Sequence, residues 1–176
     1  MSGRPAAFLD RDGTLNEFVP DPVSGLPESP LTVADVRLIE GAAAAAKGKV
    51  SLERLLAVHE RVLELLREQG VQLDGFRLCL HHPQGVVPEL SGPCDCRKPA
   101  PGMLLDAAEA LGLDLASSWM LGDTDSDVAA GRAAGCRTVL IEHPGSAHKR
   151  VAEESPDVVA SNLADGVAQL LKERLR

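Results

Sequence analysis

Short apolar runs alternate along the chain with longer stretches in which apolar residues recur at helical spacing. The short runs predict strands at residues 6–9, 75–80, 119–121 and 137–141. The longer stretches predict helices at residues 51–69, 102–111, 126–134 and 163–175. Strands that alternate with helices are typical of an α/β fold, so we expect a three-layer, doubly wound parallel sheet.

The helix predicted at residues 51–69 has the clearest pattern. Ser51 suits its N-cap, and Gly70 suits its C-terminal stop. Its apolar face consists of Leu52, Leu55, Leu56, Val62, Leu63, Leu65 and Leu66. Residues 18–30 contain four prolines instead, so we expect a loop or flap there, over the end of the first strand.

The composition is that of one globular domain, residues 1–176, with an aliphatic core, since 44% of residues are hydrophobic and only 2% aromatic. The net charge of −8 argues against nucleic-acid binding, which needs clustered Lys and Arg. No apolar run reaches the roughly 18 residues of a membrane span, and the first residues lack the apolar core of a signal peptide. We expect a cytoplasmic protein, taken as monomeric, whose four cysteines are thiols or metal ligands.

Acidic residues follow two of the predicted strands. In "AAFLDRDGTLN", Asp10 and Asp12 lie two positions apart, so both carboxylates point the same way if the segment is extended. The alternative is that they are turn residues that accept hydrogen bonds from loop N–H groups. In "WMLGDTDSDVAAG", Asp123 follows the strand and Asp125 and Asp127 come close behind; helix capping is the alternative, favoured for Asp125. Parallel strands end at one sheet edge, where three carboxylates would suit Mg²⁺.

A cation at this edge would suit phosphoryl transfer, because it offsets the repulsion between a phosphoryl group and an attacking carboxylate. Asp10 is then the candidate nucleophile, which would form an aspartyl-phosphate. Asp12 is the candidate acid and base, which would protonate the leaving oxygen and later deprotonate the hydrolytic water.

A second cluster of candidate ligands lies between residues 79 and 96. Cys79 and His81 form a C-x-H pair, and Cys94 and Cys96 form a C-x-C pair. Two such pairs across a loop supply the four ligands that tetrahedral structural zinc prefers. The alternative is three unrelated buried thiols and a loop histidine. His82 is a weaker ligand candidate because it is one residue out of phase, and Cys136, outside the quartet, is expected to be buried.

Three motifs resemble those of the haloacid dehalogenase (HAD) superfamily of phosphatases: "FLDRDGT", "CRKP" and "GDTDSD". The resemblance implies that Asp10 is the nucleophile, that Asp12 is the acid and base, and that Lys98 stabilises the phosphoryl oxygens. It also implies that Asp10, Asp123 and the backbone carbonyl of Asp12 hold Mg²⁺, with Asp127 supporting them from behind. The bulk of the zinc loop argues against an inserted large cap domain.

The loop around "HHP" and "CDCRKPAPGM" resembles that of the D-glycero-D-manno-heptose-1,7-bisphosphate phosphatases, with a related loop in histidinol-phosphate phosphatases. This resemblance implies structural zinc and a small phosphorylated sugar as substrate, with histidinol phosphate as the alternative. It implies that Arg97 and Lys98 contact the substrate, and we assign Arg11 to substrate binding with them. Residues 143–150 could meet a second phosphate or form a solvated loop.

The chain departs from the superfamily pattern near residues 46–50. There "VRLIEGAAAAAKGKV" runs directly into "SLERLLAVHERV", without the usual strand that ends in a Ser or Thr for phosphoryl binding. Ser51 could replace that hydroxyl, although capping suits it better. A segment missing from the sequence, a tolerated deletion and a decayed enzyme all explain the gap, and we favour the first. The alternative function is a non-catalytic, zinc-stabilised phosphate-binding domain. Thr124 also stands where the heptose family often has Lys.

Overall fold

A four-stranded parallel sheet is the centre of the fold. The computed structural model describes residues 3–11, 14–15, 19–20, 27–28, 52–151 and 155–174. The sheet has the order β1-β4-β5-β6, with β1 at Ala7–Leu9, β4 at Trp119–Gly122, β5 at Arg137–Ile141 and β6 at Val158–Ala160. In the parallel register, Phe8 lies opposite Met120 and Leu9 opposite Leu121. The predicted strands at residues 6–9, 119–121 and 137–141 are therefore confirmed.

Four α-helices accompany the sheet in the described residues. They are α1 at Leu52–Glu68, α2 at Gly102–Leu111, α3 at Asp125–Ala133 and α4 at Leu163–Arg174. Short 3₁₀ helices occupy Pro88–Leu90, Leu115–Ser117 and Pro144–Lys149. All four predicted helices are confirmed to within one or two residues, while the proposed cap Ser51 lies outside the described residues. No helix in this part of the chain is long and apolar enough to cross a membrane.

The side chains of β4 divide the core into two layers. Trp119 and Leu121 pack with Leu170 of α4, whereas Met120 packs on the other face with Leu104 of α2. Successive strand residues point to opposite faces, so both faces of the sheet are covered by helices. The predicted three-layer α/β arrangement is confirmed.

Two short elements differ from the sequence prediction. The proline-rich stretch expected to be a loop contains an antiparallel pair, β2 at Val19–Pro20 and β3 at Pro27–Glu28. The strand β6 was not predicted, because a run of three residues is too short to show a periodic pattern. Both elements depend on pairing with a partner strand more than on their own sequence.

The strand predicted at residues 75–80 is wrong. The described chain is irregular there, and Phe76 is 50% exposed. In the described residues β1 pairs with β4 alone, and a cavity of about 920 Å³ runs beside β1. Residues 4–11, residues 71–79 and α1 line this β1 cavity. An apolar run forms a strand only beside a partner, and no described strand lies next to residues 75–80. The shortening near residues 46–50 lies outside the described residues and stays a prediction.

Candidate active site and thiol cluster

Three carboxylates meet at the carboxyl edge of the sheet. Asp10 follows β1, Asp123 follows β4, and Asp127 lies in the first turn of α3; one oxygen of each lies within 4.8 Å of the others. The backbone N–H of Asp10 donates to the carbonyl of Leu121 at 2.8 Å, which extends the β1–β4 pairing to the acids. Gly122 is required here because a Cβ on it would overlap the Asp127 side chain. We call these three residues the acid cluster.

Lys98 joins the acid cluster from the loop before α2. Its Nζ forms ion pairs with Oδ1 of Asp10 and Oδ1 of Asp127. Burial alone would lower the pKa of Lys98, but the charges of these two carboxylates outweigh it and hold that pKa above its usual value. Lys98 is therefore a permanent cation between the two acids.

Asp127 combines two structural roles. Its Oδ2 accepts a hydrogen bond from the backbone N–H of Thr124 at 3.0 Å, and its Oδ1 contacts Lys98. Burial and the charge of Asp10 raise the pKa of Asp127, while Lys98 opposes that rise. The capping role favoured for Asp125 is wrong: Thr124 is the N-cap, and Asp127 closes the capping box from the third helical position. Asp125 is already within the helix, so it cannot cap it.

Asp123 is the least compensated acid of the cluster. It is fully buried, and neither carboxylate oxygen has a hydrogen-bond partner among the described residues. Burial raises its pKa to about 7, assisted by the charges of Asp10 and Asp127, while the Ser146 hydroxyl and the charge of Lys149 oppose the rise. A buried carboxylate without a partner beside two further carboxylates is a donor set that fits a hard divalent cation such as Mg²⁺. Asp12 lies outside the described residues, so its predicted roles stay predictions.

The two predicted substrate-binding arginines line the end of the β1 cavity that reaches the acid cluster. Arg11 follows Asp10, and Arg97 precedes Lys98. Nη1 of Arg97 also donates to the carbonyl of His81 at 3.0 Å. This hydrogen bond ties the loop that carries Lys98 to the loop that carries His81.

Cys79, His81, Cys94 and Cys96 form a second group of facing ligand atoms, which we call the thiol cluster. The Sγ atoms are 3.0 to 3.6 Å apart, and Nδ1 of His81 lies 3.5 Å from Sγ of Cys96. Tetrahedral zinc with bonds of about 2.3 Å to sulfur separates its sulfur ligands by about 3.8 Å, so the thiols lie somewhat closer together than around a bound ion, and it is the donor set of three thiols and one imidazole that fits Zn²⁺. Burial first, then the neighbouring thiols, raise the pKa of Cys96 to about 12. A bound cation would remove that penalty on the thiolates.

Two other candidate ligands lie apart from the thiol cluster. Nδ1 of His82 accepts a hydrogen bond from the backbone N–H of Gln84 at 3.0 Å, which explains why a neighbouring histidine does not join the cluster. Cys136 is buried, as expected, against Met120 and Leu104. Burial raises the pKa of Cys136 to about 11, so it behaves as a small apolar residue.

Comparison with known proteins assigns the family. The family model described as "HAD-hyrolase-like" matches residues 95–166. The D-glycero-beta-D-manno-heptose-1,7-bisphosphate 7-phosphatase of Yersinia pestis is 36% identical over an alignment of 173 residues, which covers 92% of this chain and 92% of that protein. The enzyme of the same name from Escherichia coli (strain K12) is also 36% identical over 173 residues, covering 92% of this chain and 91% of that one. The chain belongs to this HAD-like phosphatase family.

Solved structures agree with that assignment. The D,D-heptose 1.7-bisphosphate phosphatase from B. bronchiseptica, complexed with magnesium and phosphate, superposes with a TM-score of 0.69 at 26% identity, covering 96% of this chain and 99% of that one. A HAD-like phosphatase (mll2559) from Mesorhizobium loti gives 0.69 at 30% identity, covering 98% and 86%. The predicted HAD-like fold is confirmed, and no large cap domain occurs in the described residues of this family member.

Two residues that support the acid cluster of this chain were not predicted from its sequence. Ser146 and Arg150 both donate to the backbone carbonyl of Asp123, at 3.2 Å each. The sequence offered either a second phosphate site or a solvated loop for residues 143–150. Recognition of a backbone carbonyl leaves no trace in residue spacing, so only the fold reveals this contact.

Proposed function

We propose that the chain is a Mg²⁺-dependent phosphomonoesterase that hydrolyses a small sugar phosphate through an aspartyl-phosphate on Asp10. The observation that carries this proposal is the convergence of Asp10, Asp123 and Asp127 with the Lys98 ammonium at the carboxyl edge of the sheet. The names of the relatives support D-glycero-beta-D-manno-heptose 1,7-bisphosphate as the substrate.

The metal is assigned from the donor set. Asp10, Asp123 and the backbone carbonyl of Asp12 would hold Mg²⁺, which when bound reduces the negative charge on the phosphoryl oxygens. The magnesium complex of the heptose phosphatase neighbour supports this assignment. The buried, unpartnered oxygens of Asp123 support it independently, because they need a cation or a proton.

The chain's own groups would divide the reaction into two displacements. An oxygen of Asp10 attacks phosphorus, and Asp12 gives a proton to the departing sugar oxygen. Water then attacks the phosphorus of the aspartyl-phosphate while Asp12 takes its proton, and phosphate leaves Asp10 free again. Lys98 stabilises the transferred oxygens, and Asp127 holds the ammonium in place from the opposite side.

The thiol cluster would hold Zn²⁺ in a structural role. Cys94 and Cys96 immediately precede Arg97 and Lys98, so a metal at the cluster fixes the backbone from which both cations project. The Arg97 hydrogen bond to the His81 carbonyl couples the same two loops. We propose that Arg11 and Arg97, which line the approach to the acid cluster, bind the sugar phosphate.

The test is phosphate release from heptose 1,7-bisphosphate by this chain and by Asp10→Asn, each with Mg²⁺ and with EDTA. We expect release that requires both Mg²⁺ and Asp10. Histidinol phosphate serves as the comparison substrate, and faster release from it would reassign the substrate while leaving the chemistry in place.

The altered pattern near residues 46–50 favours a second candidate function, a phosphate-binding domain without turnover. Binding of a metal-fluoride phosphate mimic separates the two. A folded, zinc-containing sample that captures the mimic with Mg²⁺ but releases no phosphate would support the binding domain and contradict the phosphatase.

A further inference from the structure

The 3₁₀ helix at Pro144–Lys149 lies behind the acid cluster. It follows β5, and its buried residue Ser146 is 0% exposed. Oγ of Ser146 lies 3.2 Å from the carbonyl oxygen of Asp123 and 3.0 Å from that of His143. A single hydroxyl proton serves both acceptors, so Ser146 bridges the end of β4 to the loop after β5.

Arg150 strengthens the same bridge. Its Nη1 donates to the carbonyl oxygens of Asp123 at 3.2 Å and His143 at 2.9 Å, and to Oγ of Ser146 at 2.8 Å. These three acceptors carry no formal charge, so none of them offsets the positive charge of the guanidinium. That charge lies on the backbone side of an acid whose charged neighbours are the carboxylates of Asp10 and Asp127 and, opposing them, the ammonium of Lys149.

Asp123 needs such external support. Its carboxylate has no hydrogen-bond partner in the described residues, and it faces the negative charges of Asp10 and Asp127. The Ser146 hydroxyl and the Lys149 charge act favourably on the carboxylate, but no hydrogen bond of ordinary geometry from the described residues fixes its direction. Two donors on the carbonyl of the same residue restrict the peptide from which the carboxylate projects, and they also satisfy an oxygen that would otherwise be buried without a partner.

We propose that Arg150 and Ser146 are positioning residues that hold the Asp123 backbone so that its carboxylate is directed to the Mg²⁺ site. The inference rests on the proposed function, because it takes Asp123 as a ligand of the cation. It gives residues 146 and 150 a role on the backbone side of the site, distinct from contact with a second substrate phosphate. Outer groups that orient a metal ligand typically change metal affinity by 10- to 100-fold when they are lost.

The experiment compares Arg150→Gln and Ser146→Ala with Arg132→Gln. Arg132 is a matched control, because it is also an arginine that donates to a backbone carbonyl, that of Ser155, but at the exposed surface. The first readout is Mn²⁺ binding to each chain without substrate, followed by electron paramagnetic resonance. The second is the dependence of phosphate release on Mg²⁺ concentration, together with the KM for substrate and the thermal midpoint of each variant.

We expect the Kd for Mn²⁺ to rise about tenfold in Arg150→Gln, and by a smaller factor in Ser146→Ala. The Mg²⁺ concentration for half-maximal rate should rise in parallel, and the substrate KM at saturating Mg²⁺ should change less than about twofold. Arg132→Gln should bind Mn²⁺ like the unmodified chain. Arg150→Lys, which keeps the charge but loses the shared geometry, should fall between Arg150→Gln and the unmodified chain.

Unchanged Mn²⁺ affinity in both Arg150→Gln and Ser146→Ala would overturn the inference. A raised KM with unchanged Mn²⁺ affinity would also overturn it, and would move Arg150 to substrate binding. If Arg150→Gln does not fold, Ser146→Ala decides the matter, because it removes one oxygen atom only. An unmodified chain that binds no Mn²⁺ and releases no phosphate would instead contradict the proposed function, and this inference with it.

Discussion

The two sides of β1 differ in how they are built. On the sheet side, formed by β4, β5, β6, α3 and α4, Leu121 and Val139 are completely buried in one continuous core. On the cavity side, formed by α1 and residues 71–80, the β1 cavity separates the elements. There Phe76 is half exposed, and both ring nitrogens of His59 lack hydrogen-bond partners among the described residues.

The acid cluster lies on the boundary between these two sides. Asp123 and Asp127 come from the sheet side, and Asp10 follows β1 itself. Lys98 reaches the acids from the loop that carries the thiol cluster. We infer that the sheet side fixes the acids, whereas the Lys98 ammonium reaches them from a loop that the proposed zinc site would order. The following predictions test that division.

The largest effect is expected at Asp10. Asp10→Asn removes the proposed nucleophile, so the rate of phosphate release should fall at least about 10³-fold. The thermal midpoint should change little, because the loss of the Asp10–Lys98 ion pair is offset by the relief of repulsion at Asp127, which keeps its own ion pair with Lys98. Release within tenfold of the unmodified rate would show that the chemistry does not reside at this boundary.

The sequence predicted the sheet side well because its signals are local. Helical spacing predicted α3 and α4, and the shared edge of parallel strands brought Asp10 and Asp123 together. The pairs of Cys and His residues likewise predicted that the thiol cluster would assemble. These features need only residue type and spacing.

The remaining features depend on contacts between distant parts of the chain. Residues 75–80 have the apolar pattern of a strand but no described partner, and β6 forms because β5 lies beside it. Thr124 replaced Asp125 as the cap because the helix began one residue earlier than predicted. The contacts of Ser146 and Arg150 with the Asp123 carbonyl involve no side-chain pattern at all.

Loss of a proposed zinc ligand should have the next largest effect. We expect it to lower both the zinc content and the thermal stability of the cavity side. Cys96→Ser is expected to abolish stoichiometric zinc binding and to lower the thermal midpoint by several degrees, because structural zinc contributes directly to folding. Zinc content by elemental analysis and a thermal melt provide the measurement. Cys136→Ser is the control: it also changes a buried thiol, but it should retain one zinc per chain. Equal zinc content in both variants would argue against the thiol cluster as the site.

Truncation of a core leucine should lower the free energy of unfolding by different amounts on the two sides of β1. Leu121→Ala should lower the free energy of unfolding by about 3–5 kcal/mol, because its well-packed neighbours cannot collapse into the space. Leu66→Ala should lower it less, by about 2 kcal/mol, because the Leu66 side chain already borders the β1 cavity. Urea unfolding of both variants measures the difference. Equal losses would show that the cavity side is as tightly packed as the sheet side.

The smallest effect is expected from His59, on the cavity side. Burial, assisted by the charge of Arg11, lowers the pKa of His59 from its ordinary value of 6.5, so the folded state favours the neutral ring. The unfolded chain then binds more protons below about pH 6.5, and stability is lost as the pH falls from there through the folded pKa. His59→Leu should remove this part of the pH dependence.

The measurement is the urea midpoint of the unmodified chain and of His59→Leu, each at about pH 7.5 and about pH 5. The unmodified chain should lose more stability over this interval than the variant does. The other titrating groups occur in both chains, so their contributions cancel in the comparison. Identical losses would mean that the His59 ring accepts a proton in the folded state without penalty. The cavity side would then already admit enough water around α1 to solvate the charged ring.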